Sequence, residues 1–238
     1  MHPENTEDSR RLAARIEHGM LLQSRSKVEV AICPPFVFMP AVKQAVHFAK
    51  LGAQDIAFVE KGAWTGEISP AHLAGFGVRY VIVGHSERRM IGEDSDMIRE
   101  KIKICLDNRF EPIVCVGSAV KKTATIGTIK RLIKNQLKTE LRGIDFHKSK
   151  LTICYEPSWA ISRGLGSGHH ADAGLVSKAI GFIKEETGDI VRVIYGGSVD
   201  ARNAPEFAAY RDIDGALVGA ASLDPLEFLK IIKIFTNA

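Results

Sequence analysis

Two side chains able to move protons stand at the ends of apolar, β-branched runs in this 238-residue sequence. His85 follows YVIVG (80–84), and Glu156 closes LTICYE (151–156). In parallel α/β architectures, functional groups collect at the C-terminal ends of strands. A carboxylate and an imidazole on one rim can share a proton-transfer task, one taking a proton while the other polarises an oxygen. Alone, such a histidine is more often a satisfied structural residue, and such a glutamate a helix-entry or salt-bridge residue. Two of them on one rim favour the chemical reading. Two glycine loops add a second signal. Gly196, Gly197 and Ser198 follow the run at 191–196, and Gly219 to Ser222 follow the last run, ahead of Asp224. Glycine lets backbone N–H groups approach an anion closely, and a helix N-terminus adds its dipole. A lone Gly-Gly usually marks only a tight turn. Two such loops after consecutive final strands point to phosphate.

The elements that must position these groups are legible as a rhythm. Short apolar runs recur at VEVAIC (28–33), DIAFVE (55–60), YVIVG (80–84), PIVCVG (112–117), LTICYE (151–156), VRVIYG (191–196) and GALVG (215–219). Continuous rather than alternating apolar runs predict strands buried on both faces, as in a parallel sheet. Between them lie helix-period segments. Leu12, Ile16 and Met20 share one face, with Asn5 or Thr6 as the cap, and Asp224 with Pro225 opens a closing helix. The order is a helix, then seven strand–helix pairs. Eight parallel strands close a barrel, so one is missing at the front. An open, seven-stranded doubly wound sheet fits the same periodicity. No Pro/Gly/Ser-rich linker breaks the chain, so 1–238 reads as one domain.

Composition narrows the class. Hydrophobic residues make up 45% and charged residues 25%, ordinary for a soluble globular protein. The net charge of +4 is dispersed with no basic run, which excludes nucleic acid as a partner and suits a small anionic substrate. No apolar stretch approaches the roughly 18 residues needed to span a membrane. Cys33, Cys105, Cys115 and Cys154 show no CxxC spacing. They read as buried, reduced thiols of a cytoplasmic protein, and no metal constellation or cofactor motif is visible. The opening MHPENTEDSRR resembles neither a secretory nor a transit signal.

Six collinear stretches resemble the triosephosphate isomerase family: GAWTGEISP (62–70), VIVGHSERR (81–89), CVG (115–117), YEPSWAI (155–161), YGGSV (195–199) and DGALVGAASL (214–223). The similarity runs from Glu29 onward. It implies a (β/α)8 TIM barrel that interconverts dihydroxyacetone phosphate and D-glyceraldehyde 3-phosphate, a step of glycolysis and gluconeogenesis, without metal or cofactor. By resemblance, Glu156 is the base and His85 the neutral electrophile, the division of labour known for this family. Glu87 matches a supporting glutamate. Ser162, Ser198, Gly219 and Ala220 match phosphate-contacting positions, and Pro157 to about His170 matches a mobile lid. Gly62 to Glu67 matches a loop that inserts into a second subunit, with Thr65 near the partner's site, so a homodimer is implied. SERRM after His85 reads as the start of a helix whose N-terminus would lower the histidine pKa.

Departures from the family pattern carry their own expectations. The family usually opens with a strand ending in Asn-Trp-Lys-Met, and Met1, His2 and Pro3 resemble the residues just after that lysine. The lid reads SRGLGSGHH (162–170), with Ser162 in a glycine position and no lysine. Ser118 stands for a usual glutamate, and Gly219-Ala220 for Gly-Gly. A catalytically impaired phosphate binder is therefore the alternative to a working isomerase. A third reading, another phosphosugar isomerase or synthase on a barrel, is disfavoured by His85, Glu156 and the lid together.

Overall fold

A computed structural model describes residues 3–23, 28–161 and 170–238. The chain opens with α1 (Thr6–Leu22), whose Asn5 cap accepts the Asp8 N–H. Strand and helix then alternate: β1 (Ala31–Ile32), α2 (Met39–Ala45), β2 (Lys50–Ala53), α3 (Pro70–Phe76) and β3 (Tyr80–Val83). The short α4 (Ser86–Met90) leads into α5 (Ser95–Asp107), β4 (Glu111–Val116) and α6 (Ile126–Glu140). The remainder is β5 (Thr152–Tyr155), α7 (Ala173–Thr187), β6 (Arg192–Gly197), α8 (Ala204–Ala208), β7 (Ala216–Val218) and α9 (Pro225–Thr236). Asp224 caps α9 through the Leu226 and Glu227 N–H groups, as the Asp-Pro signal predicts.

Each strand pairs in parallel with the next in chain order, β1 to β7. A doubly wound sheet reverses its strand order at a switch point. Here the order never reverses, so the sheet is one curled layer, a half-barrel of the (β/α)8 kind. Among the described residues no pairing joins β7 back to β1.

Alternation along the strands separates two packed regions. Val81, Val83, Val114, Val116, Ile153 and Tyr155 pack outward with Ile98, Ile102, Ile129, Ile133, Ile180 and Ile183 of the helices. Tyr80, Ile113, Cys115 and Cys154 form a second cluster on the opposite, concave face. The strand expected at 55–60 is corrected to Lys50–Ala53. DIAFVE is apolar because Ile56 and Ala57 are buried, not because it pairs. The chain has already left the sheet there, and the Ala57 N–H donates to the Ile68 carbonyl. The real strand, KLGA, has weak strand propensity and is held by a neighbour on each side, a tertiary override of local preference. Asp55 leaves the sheet for an ion cluster: its carboxylate pairs with Arg88 at 2.9 Å and with buried Lys101 at 2.6 Å, and Lys101 also contacts Glu93.

Candidate active site

The two proton-moving residues come from strands two apart in the sheet. β3 ends at Val83, and Gly84 turns the chain with φ +70°, a left-handed conformation that favours glycine. A Cβ on Gly84 would also lie 2.8 Å from the Arg89 guanidinium. The turn delivers His85 as the cap of α4. Glu156 directly follows β5, and its N–H donates to the Val116 carbonyl of β4 at 2.7 Å. The result is a direct contact: His85 Nε2 lies 2.8 Å from Glu156 Oε1.

Glu156 is buried, only 2% exposed, and a buried carboxylate must be satisfied. It is: the Ser86 N–H donates to Oε2 at 3.2 Å and the Ser86 hydroxyl to Oε1 at 3.1 Å. His85 Nδ1 accepts the Glu87 N–H at 3.3 Å, which leaves Nε2 to carry the proton toward Glu156. The Glu87 carboxylate itself is exposed and 3.7 Å from Nδ1. Burial opposes charging of His85, but the hydrogen bond and negative charge of Glu156, with Glu87 behind it, outweigh burial and raise its pKa. The expected helix is present, yet the shift has the opposite sign to the one a helix N-terminus alone would give. The groups that raise it are the carboxylates at hand, Glu156 at hydrogen-bond distance first among them.

The glycine loops face the same space. His85, Glu156, Gly196, Gly197, Gly219 and Ser222 line one cavity of about 740 Å³, which also reaches down between β1 and β7. A Cβ on Gly219 would meet nothing within 4 Å, so the backbone there is open to a ligand. Ala220 opens a turn of 3₁₀ helix through Leu223. Ser198 is placed differently: its N–H and its hydroxyl both donate to the Ala160 carbonyl, at 2.9 and 3.0 Å. The loop after β6 is thereby tied to the turn at Ser158–Ala160. Ser162 and the rest of 162–169 lie outside the described residues. Thr65 is exposed on a surface loop beside Trp64, whose ring meets Phe58 edge-on at 4.9 Å.

Sequence reasoning missed Ser86, the residue that satisfies Glu156 from both its backbone and its side chain. Its signal was adjacency to His85 in GHSER. It also missed Ala160 as the acceptor for Ser198, which no local pattern reveals. Among the described residues, the only cations lining the cavity are Arg88 and Arg192. Arg88 is committed to Asp55 and Glu93, and Arg192 to Glu29 and Glu111.

Comparison with known proteins agrees with this geometry. The sequence profile described as Triosephosphate isomerase matches residues 1–235. The chain is 42% identical over 229 residues to the triosephosphate isomerase of Dictyoglomus turgidum, covering 91% of this chain and 90% of that protein. It is 42% identical over 224 residues to that of Carboxydothermus hydrogenoformans, covering 89% and 87%. It is 40% identical over 213 residues to that of Aquifex aeolicus, covering 87% and 86%. Strand order, the His85–Glu156 contact and these matches agree: the chain belongs to the triosephosphate isomerase family.

Proposed function

We propose that this enzyme interconverts dihydroxyacetone phosphate and D-glyceraldehyde 3-phosphate through an enediolate. The observation that supports it most is the 2.8 Å contact between His85 Nε2 and Glu156 Oε1 at the mouth of a cavity flanked by glycine loops. The barrier to the reaction is carbon acidity. Glu156 takes the proton from the carbon beside the carbonyl, and His85, protonated on Nε2, donates to the oxygens on which charge develops. When substrate draws Glu156 away, the contact that raises the His85 pKa is lost and the neutral imidazole is favoured. Backbone N–H groups around Gly197, Gly219 and Ala220 receive the phosphate, with Ser198 beside them; the family resemblance assigns Ser162 to the same task. The loop at 62–67 serves a homodimer in the cytoplasm, and sedimentation velocity tests that assembly. The isomerase reading is tested by a coupled assay in both directions. Turnover that disappears in Glu156→Asp supports it, and turnover unaffected by that change removes Glu156 from its role.

One observation favours a second reading, a phosphate binder with impaired catalysis. Both cavity-lining arginines are already engaged in ion pairs, so no described cation is left to face developing negative charge. Calorimetry that finds substrate binding in a chain without turnover would select it.

A further inference from the structure

The pair His85–Glu156 is reached from two different strand ends, and something must keep those ends in register. Arg89 does this in a way the acid–base chemistry does not itself require. Its Nε donates to the Gly84 carbonyl at 2.7 Å, the peptide group immediately before His85. Its Nη2 donates to the Cys115 carbonyl at 2.9 Å, one residue past Val114, where the β3–β4 pairing stops. Its fork is closed from the far side by Glu140 at the end of α6, at 2.6 and 2.9 Å, and the Glu140 side chain is completely buried. The Ser95 hydroxyl and the Gln136 amide also donate to Glu140. Gln136 turns its other end inward: its Oε1 accepts the Gly117 N–H at 2.9 Å, beside the point where Val116 holds the Glu156 backbone. A planar guanidinium with donors in a fixed fork spans two carbonyls and a carboxylate at once, and a lysine cannot.

We infer that Arg89, locked by Glu140 and aided by Gln136, is a positioning unit that sets the distance between His85 and Glu156. The inference rests on the reading of those two residues as the acid–base pair. Arg89 touches neither side chain. It acts by fixing the Gly84 peptide, whose left-handed turn would otherwise be free to rotate His85, and by anchoring the end of β4 against which Glu156 is bonded. A misplacement of about 1 Å from a remote change is enough to cost on the order of 10²-fold in rate.

The test is the titration of the His85 imidazole by NMR, assigned among the eight histidines by the resonance lost in His85→Gln. The groups that set it are Glu156 and Glu87; Arg88 nearby is paired with Asp55 and Glu93. Arg89→Lys keeps the charge opposite Glu140 and gives up the two carbonyls. The His85 midpoint is expected to fall toward the ordinary histidine value, with kcat reduced roughly 10- to 100-fold and KM nearly unchanged. Gln136→Met, which removes the Gly117 acceptor and leaves Arg89 in place, is expected to shift the midpoint the same way by less, and it decides the question alone if Arg89→Lys does not fold. Midpoints equal to the unsubstituted protein's, with only a lowered Tm, would overturn the inference and leave a purely structural clamp. A protein with no isomerase turnover would sink the function proposed above, and the titration would still decide the positioning role.

Discussion

The arc from β3 to β6 and the flank where β1 faces β7 are built from the same kind of segment and held very differently. β4 and β5 are buried at every position and pair over four residues on each side. β1 is two residues long, β7 three, both are only partly buried, and each has one paired neighbour among the described residues. The acid–base pair stands on the first region: His85 on β3, Glu156 on β5, with the Arg89 fork between. The loop at Gly219–Ala220, proposed to hold phosphate, stands on the second. On the proposed roles, proton transfer rests on an over-determined scaffold, whereas the phosphate grip rests on a strand with one paired neighbour among the described residues, beside a cavity.

The strongest way to break this contrast is at the pair itself. Glu156→Asp and His85→Gln are each expected to lower turnover about 10²- to 10⁴-fold with little change in Tm. Steady-state rates beside thermal melts check it, and a large Tm loss without a turnover loss would reverse the assignment. In the scaffold, Ile153→Ala in fully buried β5 is expected to cost about 2–5 kcal/mol, the range for deleting a core isoleucine. Leu217→Ala in β7 should cost clearly less, because its side chain is only partly buried. Urea denaturation of the two variants gives the ranking, and equal costs would erase the contrast.

Smaller effects sharpen the phosphate half. A Cβ on Gly197 would lie 2.2 Å from the Tyr195 hydroxyl, itself buried and stacked on Phe207. Gly197→Val should therefore weaken binding of glycerol 3-phosphate, while Ala220→Gly should change it little, because the backbone donors survive. Calorimetry reporting the reverse order would place the phosphate elsewhere. The smallest effect is in pH. A histidine whose pKa is raised by folding adds stability that is complete below its unfolded value, about 6.5, and is lost as pH rises through the folded value. Urea midpoints should fall across that window in the unsubstituted protein and stay flatter in Glu156→Gln.

How much of this was legible differs by level. Six of the seven strands were readable because VIV, IVCV and TICY are dense in β-branched and apolar residues, as a doubly buried strand must be. β2 was not, because KLGA draws its order from its neighbours while the apolar DIAFVE beside it packs without pairing. His85 and Glu156 were legible from strand-end position and motif. The direct contact between them was not, nor the fork of Arg89: the carbonyls of Gly84 and Cys115 and the carboxylate of Glu140 are up to 56 positions apart and meet only through the curl of the sheet. The raised His85 pKa is not legible for the same reason, since the helix after His85 is visible in sequence and a carboxylate 71 residues away is not.

Glu156, in the proposed reaction, removes a proton from substrate carbon. That role is tested most directly by incubating the protein with dihydroxyacetone phosphate in D₂O and following deuterium in product and recovered substrate by proton NMR. Deuterium is expected at the carbon beside the carbonyl with the unsubstituted chain, and is expected to be lost with Glu156→Gln. Deuterium incorporation that persists in Glu156→Gln at the unsubstituted rate would contradict that role.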